Sequence, residues 1–133
     1  MHRVKYLGHI FLVDDDPVQL EVADRLLRRL VHTTRIERFS EPDLALEELH
    51  RRLAAPAELP DLILLDLNMP VMNGWEFLTR FAQLRPYLPK AVSLYILSSS
   101  QDQADLDRAR LFPFLKGYLI KPLSQEVLLS LEI

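Results

Sequence analysis

Four large apolar residues in a row, Leu62-Ile63-Leu64-Leu65, run without alternation into Asp66, between Pro60 and Pro70. A strand that lacks a period of two is covered on both faces, as a parallel strand is when helices lie above and below it. Three other apolar runs also end on a polar group. Phe11-Leu12-Val13 leads into Asp14-Asp15-Asp16, Leu94-Tyr95-Ile96-Leu97 into Ser98, and Tyr118-Leu119-Ile120 into Lys121-Pro122. As parallel strands of one sheet, these runs bring the carboxylates, one hydroxyl and one ammonium to a single edge. In an open parallel sheet, ligands bind at the carboxyl edge. Carboxylates crowded there repel, so the cluster requires a divalent cation, a lysine counter-charge, or both. A metal, a lone Asp, a hydroxyl and a lysine suit the handling of phosphoryl groups.

The rest of the chain fits alternating strands and helices. The first strand is predicted at about His9–Val13. A helix follows with Asp16 as N-cap, Pro17 in its first turn and Val18, Val22, Leu26 and Leu30 at helical spacing, with Ala23 and Leu27 beside them. A second strand is expected at about Thr34–Phe39. Ser40 with Asp43 reads as a capping box for a helix burying Leu46, Leu49 and Leu53. Ala54–Pro60 is a loop, and Asn68–Gly74 a turn or loop. Trp75–Leu84 and about Asp102–Leu111 read as helices, Val92–Leu97 and Gly117–Ile120 as strands. Ser124 caps a last helix expected to stop at Ile133. Five strand–helix units make a doubly wound α/β sandwich. Residues 1–133 read as one domain, with its core from about residue 9 onward.

Composition excludes several classes. With 49% hydrophobic and 26% charged residues the chain is neither a disordered nor a membrane protein, and no apolar run nears the ~20 residues of a membrane span. No export leader is evident, so the cytoplasm is expected. With zero cysteines, disulfides and thiolate metal sites are excluded. A net charge of −3 gives no electrostatic case for direct nucleic-acid binding. The three glycines, Gly8, Gly74 and Gly117, form no glycine-rich phosphate loop. Phosphate must then be held by side chains, a metal and strand-end amides.

Taken together, Val13-Asp14-Asp15-Asp16-Pro17, Asp66-Leu67-Asn68-Met69-Pro70 with Asn73-Gly74, Ser98 and Lys121-Pro122 resemble the motif set of response-regulator receiver domains, the phosphoacceptor modules of two-component signalling. The resemblance covers about His9 to the C-terminus and implies a flavodoxin-like fold with strand order 2-1-3-4-5 and helices on both faces. It implies that Asp66 is the phosphoacceptor. It also implies that Mg²⁺ is held by Asp15, Asp66 and the backbone carbonyl of Asn68, with Asp14 acting through water. Ser98 would offer its hydroxyl to a phosphoryl oxygen. Lys121, joined to Pro122 by a cis peptide in the family, would pair first with Asp66 and then with the phosphoryl group. Tyr118 matches an aromatic that changes rotamer on phosphorylation. The implied partners are a sensor histidine kinase or phosphotransfer protein and a downstream protein, with a phosphorylation-dependent homodimer as one form of output. The module would be no enzyme beyond assisting its own phosphorylation and dephosphorylation.

The blander readings are specific. Asp66 alone is a turn starter, Asp14 and Asp15 are capping groups, Ser98 belongs to a serine-rich loop and Tyr118 is a half-buried strand residue. His2, His9, His32 and His50 lack metal-ligand spacing and read as surface or helix residues; Arg51-Arg52 reads as a solvated helix end. One departure from the family pattern is Leu111-Phe112-Pro113-Phe114, where Pro113 is expected to end the fourth helix early and the phenylalanines to make an apolar face. Two functional alternatives stand beside the receiver reading. Asp14-x-Asp16-x-Val18 also fits the nucleophile motif of haloacid-dehalogenase-like phosphatases, though only Glu126 and Glu132 follow Lys121 as further acidic ligands. The other is a receiver-like interaction module that never uses phosphate.

Overall fold

The structure is a computed structural model, and it describes residues 5–67 and 73–131. The elements in chain order are β1 (Tyr6–Val13), α1 (Pro17–Leu30), β2 (His32–Phe39), α2 (Pro42–Arg51), β3 (Leu62–Leu65), α3 (Gly74–Leu84), β4 (Ser93–Ser98), α4 (Gln103–Ala109), β5 (Leu115–Ile120) and α5 (Gln125–Leu129). All strand pairs are parallel and the order is β2-β1-β3-β4-β5. This is the flavodoxin-like order that the resemblance implied. No helix among the described residues is long and apolar enough to cross a membrane.

The unalternated runs are explained by two cores. Phe11, Val13, Ile63, Leu65, Leu94 and Ile96 face the layer that holds Leu46, Leu49, Phe77 and Phe81. The intervening Ile10, Leu12, Leu62, Leu64, Tyr95 and Leu97 face Leu20, Leu27 and Leu128. Every residue of β3 is buried, and each such side chain contributes about 1.5–3 kcal/mol of transfer free energy.

Several local expectations are corrected. The buried stripe of α1 is Leu20, Asp24 and Leu27, while Val18 and Val22 are exposed. The repeat was real, but the sheet lies beneath the neighbouring stripe. Ser40 caps no helix among the described residues: Glu41 is the N-cap of α2 and offers no side-chain bond, because Pro42 at the first position already fixes φ and lacks an N–H. Gly74 opens α3 instead of closing a turn, with the Asn73 side chain accepting from the Glu76 N–H at 2.9 Å. The fourth helix ends at Ala109, four residues before Pro113. The last ends at Leu129, short of the expected Ile133, although residues 132–133 lie outside the described residues.

Two polar residues are misplaced by the sequence reading. His9 lies in β1 at 6% exposure, and Arg52 is 5% exposed, so it is no solvated helix end. The Arg52 guanidinium donates to both oxygens of Glu37 at 2.6 and 2.8 Å, to Glu48 at 3.1 Å and to the Glu58 carbonyl at 2.9 Å. His9 Nε2 lies 2.7 Å from the same Glu37 carboxylate. Arg52 also lies over the Phe11 ring, 5.4 Å from its centroid. Its Nε is buried without a partner among the described residues.

Burial pushes the Glu37 carboxyl up, but hydrogen bonds from Arg52 and His9 outweigh it and hold the group below its ordinary value of 4.5. A depressed carboxyl pKa adds stability that is complete above the ordinary value and is lost as pH falls through the depressed one. Urea midpoints should therefore drop as pH is lowered below about 4.5. Glu37→Gln should flatten that part of the profile, and an unchanged slope would show that Glu37 carries none of it.

Phe112 and Phe114 are only half-buried, yet both turn inward. Phe112 stacks on Trp75 at 6.1 Å, Phe114 packs on Phe81 at 5.4 Å, and the Arg108 guanidinium lies 4.7 Å over Trp75. The apolar face expected at Leu111–Phe114 is largely consumed by α3. Leu111, 75% exposed, is its outward remnant.

Candidate functional site

Register builds the site. Val13 pairs with Leu65, so β1 and β3 end level and Asp14 and Asp66 emerge side by side. The sheet persists one residue further, with the Asp66 N–H donating to the Val13 carbonyl at 2.9 Å and the Asp14 N–H to Phe39 at 3.0 Å. Asp14 and Asp66 are 8% and 7% exposed, and Asp15 is half-buried. One carboxylate oxygen from each of the three lies within 4.8 Å of the others. On the far side, Ser98 pairs with Ile120, which sets Lys121 beside the end of β4, where its N–H donates to the Ser98 carbonyl at 2.9 Å. The Lys121-Pro122 peptide is cis.

The ammonium of Lys121 is tightest on Asp14, at 2.7 Å, and stands 3.7 Å from Asp66. Asp14 also accepts the Asp16 N–H at 3.0 Å. Asp16 accepts from the Val18 N–H at 2.9 Å and so caps α1 as the sequence suggested. Among the described residues, Lys121 is thus the one ammonium beside a group of three carboxylates, two of which it contacts, and this leaves the cluster short of positive charge. An all-oxygen donor set of this kind fits a hard cation such as Mg²⁺ and not zinc, which favours His and Cys. Asn68, whose carbonyl was the expected further ligand, lies outside the described residues together with Met69 and Pro70.

Ser98 is fully buried, and its Oγ accepts the Ser100 N–H at 3.1 Å. Tyr118 donates its hydroxyl to the Ser100 carbonyl at 2.9 Å, and the Ser100 hydroxyl donates to Asp105 in α4 at 2.6 Å. Ser100 therefore joins the end of β4, the β5 aromatic and α4. The sequence reading missed this hub, and it missed Gln19 and Ser99, which line an open pocket of about 470 Å³ with Asp14, Asp15, Asp66 and Lys121. Gln19 was legible in principle, since it lies three residues after an N-cap, in the first turn of a helix that starts at the site.

The charge shortage sets an expectation for the metal-free protein. Asp14 is held by Lys121, so removing it would lose an attraction along with a repulsion. Asp15 has no ion pair or side-chain hydrogen bond among the described residues, which makes it the cleaner probe. Asp15→Ala should raise stability in EDTA by about 1 kcal/mol and weaken the stabilisation that added Mg²⁺ gives by mass action. Thermal melts with and without Mg²⁺ measure both effects, and a lower midpoint in EDTA would count against repulsion at this corner.

A family model described as the response regulator receiver domain matches residues 10–131. Among curated proteins, a probable methanogenesis regulatory protein of Methanothrix harundinacea, FilR2, is 34% identical over 88% of this chain and 74% of its own length. The chain spans only 28% to 51% of several other curated relatives. A two-component response regulator from Cytophaga hutchinsonii superposes with a TM-score of 0.84 at 27% identity, covering 94% of this chain and 93% of that one. The phosphorylated cyanobacterial phytochrome response regulator RcpA gives a TM-score of 0.71 at 26% identity over 89% of this chain and 83% of that one.

Proposed function

The chain belongs to the response regulator receiver family, and from that premise we propose that Asp66 accepts a phosphoryl group in a Mg²⁺-dependent reaction and switches a partner-binding surface. The observation that carries this reading is, among the described residues, the group of three carboxylates with Lys121 against two of them and Asp66 at the end of the central strand. A buried carboxylate fixed by a strand end is a positioned nucleophile. One Asp66 oxygen forms the bond to phosphorus, and the bond to the donor breaks, its electron pair returning to the imidazole of a phosphohistidine or to acetate. The donor is a sensor histidine kinase or phosphotransfer protein of the cytoplasm, with acetyl phosphate as a small substitute. Asp14, Asp15, Asp66 and the Asn68 carbonyl would hold Mg²⁺, whose charge offsets that of the phosphoryl oxygens. Lys121 supplies a second positive charge, and Ser98 offers its hydroxyl to a phosphoryl oxygen.

Output runs through Ser98 and Tyr118. Drawing Ser98 toward the phosphoryl group disturbs its bond with the Ser100 N–H, and Ser100 holds Tyr118 and Asp105. The face built from α4, β5 and α5 can then take a second packing. A downstream protein, or a second copy of the chain, that prefers one packing is gained or lost. The domain turns over no external substrate and assists only its own phosphorylation and dephosphorylation. The structure of phosphorylated RcpA, a relative by fold and sequence, supports the chemistry.

Intact-mass spectrometry after incubation with acetyl phosphate and Mg²⁺ tests the proposal. One added phosphoryl group is expected, absent in EDTA and absent from Asp66→Asn. Equal labelling of Asp66→Asn would remove Asp66 from the role, and no labelling under any condition would favour a module that never uses phosphate.

A further inference from the structure

The pocket above Asp66 has an open mouth, and most of its rim is already committed. Asp66 is 7% exposed at the floor, so a phosphoryl group on it points outward and the face opposite the new oxygen–phosphorus bond is the mouth. Water that cleaves the bond must enter there, in line with the leaving oxygen. Among the described residues, Asp15, Asp16, Gln19, Ser99 and Pro122 line this pocket together with the deeper Asp14, Asp66 and Lys121. Asp15 belongs to the carboxylate cluster, Asp16 is occupied by the Val18 N–H, and Pro122 has no polar side-chain group. Ser99 has a single short hydroxyl.

Gln19 differs from all of these. It is exposed in the first turn of α1 and makes no side-chain hydrogen bond among the described residues. It also borders the adjoining crevice between α1 and the Lys121-Pro122-Leu123 segment, whose walls include Leu20, Leu26 and Leu123. Apart from Asp14, Asp66 and Lys121 of the site itself, the other side chains lining this crevice are apolar and give the long side chain no hydrogen-bond partner. Its carboxamide oxygen is a hydrogen-bond acceptor. That oxygen can take a hydrogen bond from a water standing in the mouth, without touching the phosphoryl group itself.

We propose that Gln19 orients the water that hydrolyses the aspartyl phosphate, and thereby sets the lifetime of the phosphorylated state. This rests on Asp66 being the phosphoacceptor. In the step, the water oxygen bonds to phosphorus and the bond from phosphorus to the Asp66 oxygen breaks. The electron pair returns to the Asp66 carboxylate, and both water protons leave on inorganic phosphate. Gln19 neither gains nor loses a proton.

The test is to phosphorylate the protein with acetyl phosphate and Mg²⁺, remove the donor, and follow loss of the added mass. Gln19→Ala and Gln19→Leu should lengthen the half-life about fivefold, as expected for loss of a positioned reactant. The rate of phosphoryl uptake and the affinity for beryllofluoride with Mg²⁺, which report the pocket without water attack, should stay within about twofold, the scale of a small surface change. An unchanged half-life, or uptake and beryllofluoride affinity falling in parallel with it, would overturn the proposal. Failure of the underlying reading looks different: Asp66→Asn would then label like the parent protein, or the parent would not label at all, and the role of Gln19 would fall with it.

Discussion

Arg52→Ala should cost about 3–5 kcal/mol of unfolding free energy, the range for removing one partner of a buried ion pair. The side chain is 5% exposed and is the only guanidinium donating to both oxygens of Glu37 among the described residues. Its loss leaves a largely buried carboxylate with only His9 and the more distant Arg35, whose contact is 3.3 Å. It also leaves the Glu58 carbonyl without that donor and uncovers the Phe11 ring. Arg52→Lys should retain the charge but lose the two-pronged geometry, and fall between the two. Urea unfolding at pH 7 measures the series. A cost for Arg52→Ala below about 1 kcal/mol would mean that water takes over the cluster as it does at exposed pairs.

Gly74→Ala is expected to damage stability and chemistry together. A Cβ built at Gly74 would stand 2.7 Å from the Leu67 Cα and 2.8 Å from the Asp66 carbonyl oxygen. Both are backbone atoms, which cannot rotate away as a side chain can. The start of α3 would have to move off the segment that carries Asp66, at a cost of about 1–3 kcal/mol for overpacking. Because the displaced segment bears Asp66, the proposed phosphoacceptor, uptake from acetyl phosphate should fall by at least tenfold, the scale expected when a reacting group is misplaced by a fraction of an ångström or more. Gly8→Ala is a useful comparison. Gly8 has φ of +75°, and the nearest atoms to its new Cβ would all belong to the Asp61 side chain. That substitution should destabilise while leaving phosphoryl uptake per folded molecule unchanged. Equal uptake in the two variants would show that the contact at Gly74 does not govern the site.

The parts of this architecture that could be read in advance are those set by one-dimensional pattern. Four apolar runs with polar ends gave the strands of the site, and their parallel arrangement brought Asp14, Asp15, Asp66 and Lys121 together. What could not be read depends on which neighbour lies across the gap. Val18 and Val22 repeat at helical spacing as well as Leu20 and Leu27 do, and only the position of the sheet decides which stripe is buried. Arg52 and His9 look like ordinary surface residues until Glu37, on the edge strand, supplies a partner that makes their burial tolerable. The preference of Lys121 for Asp14 over Asp66 is a difference of about an ångström between 2.7 and 3.7 Å, beneath the resolution of any motif.

The stack of Phe112 on Trp75, with Arg108 above the indole, makes the protein its own optical probe. Trp75 is the chain's only tryptophan, so its emission comes from one environment, 7% exposed and next to Gly74 at the start of α3. Arg108 belongs to α4, and its guanidinium, 4.7 Å from the ring, lies close enough to perturb the excited state. Any sliding of α4 against α3 changes that distance. Emission intensity and wavelength, followed in a stopped-flow cell after mixing with a phosphodonor, would therefore time any such sliding of α4 without a label, and Arg108→Ala would identify the share of the signal due to the cation.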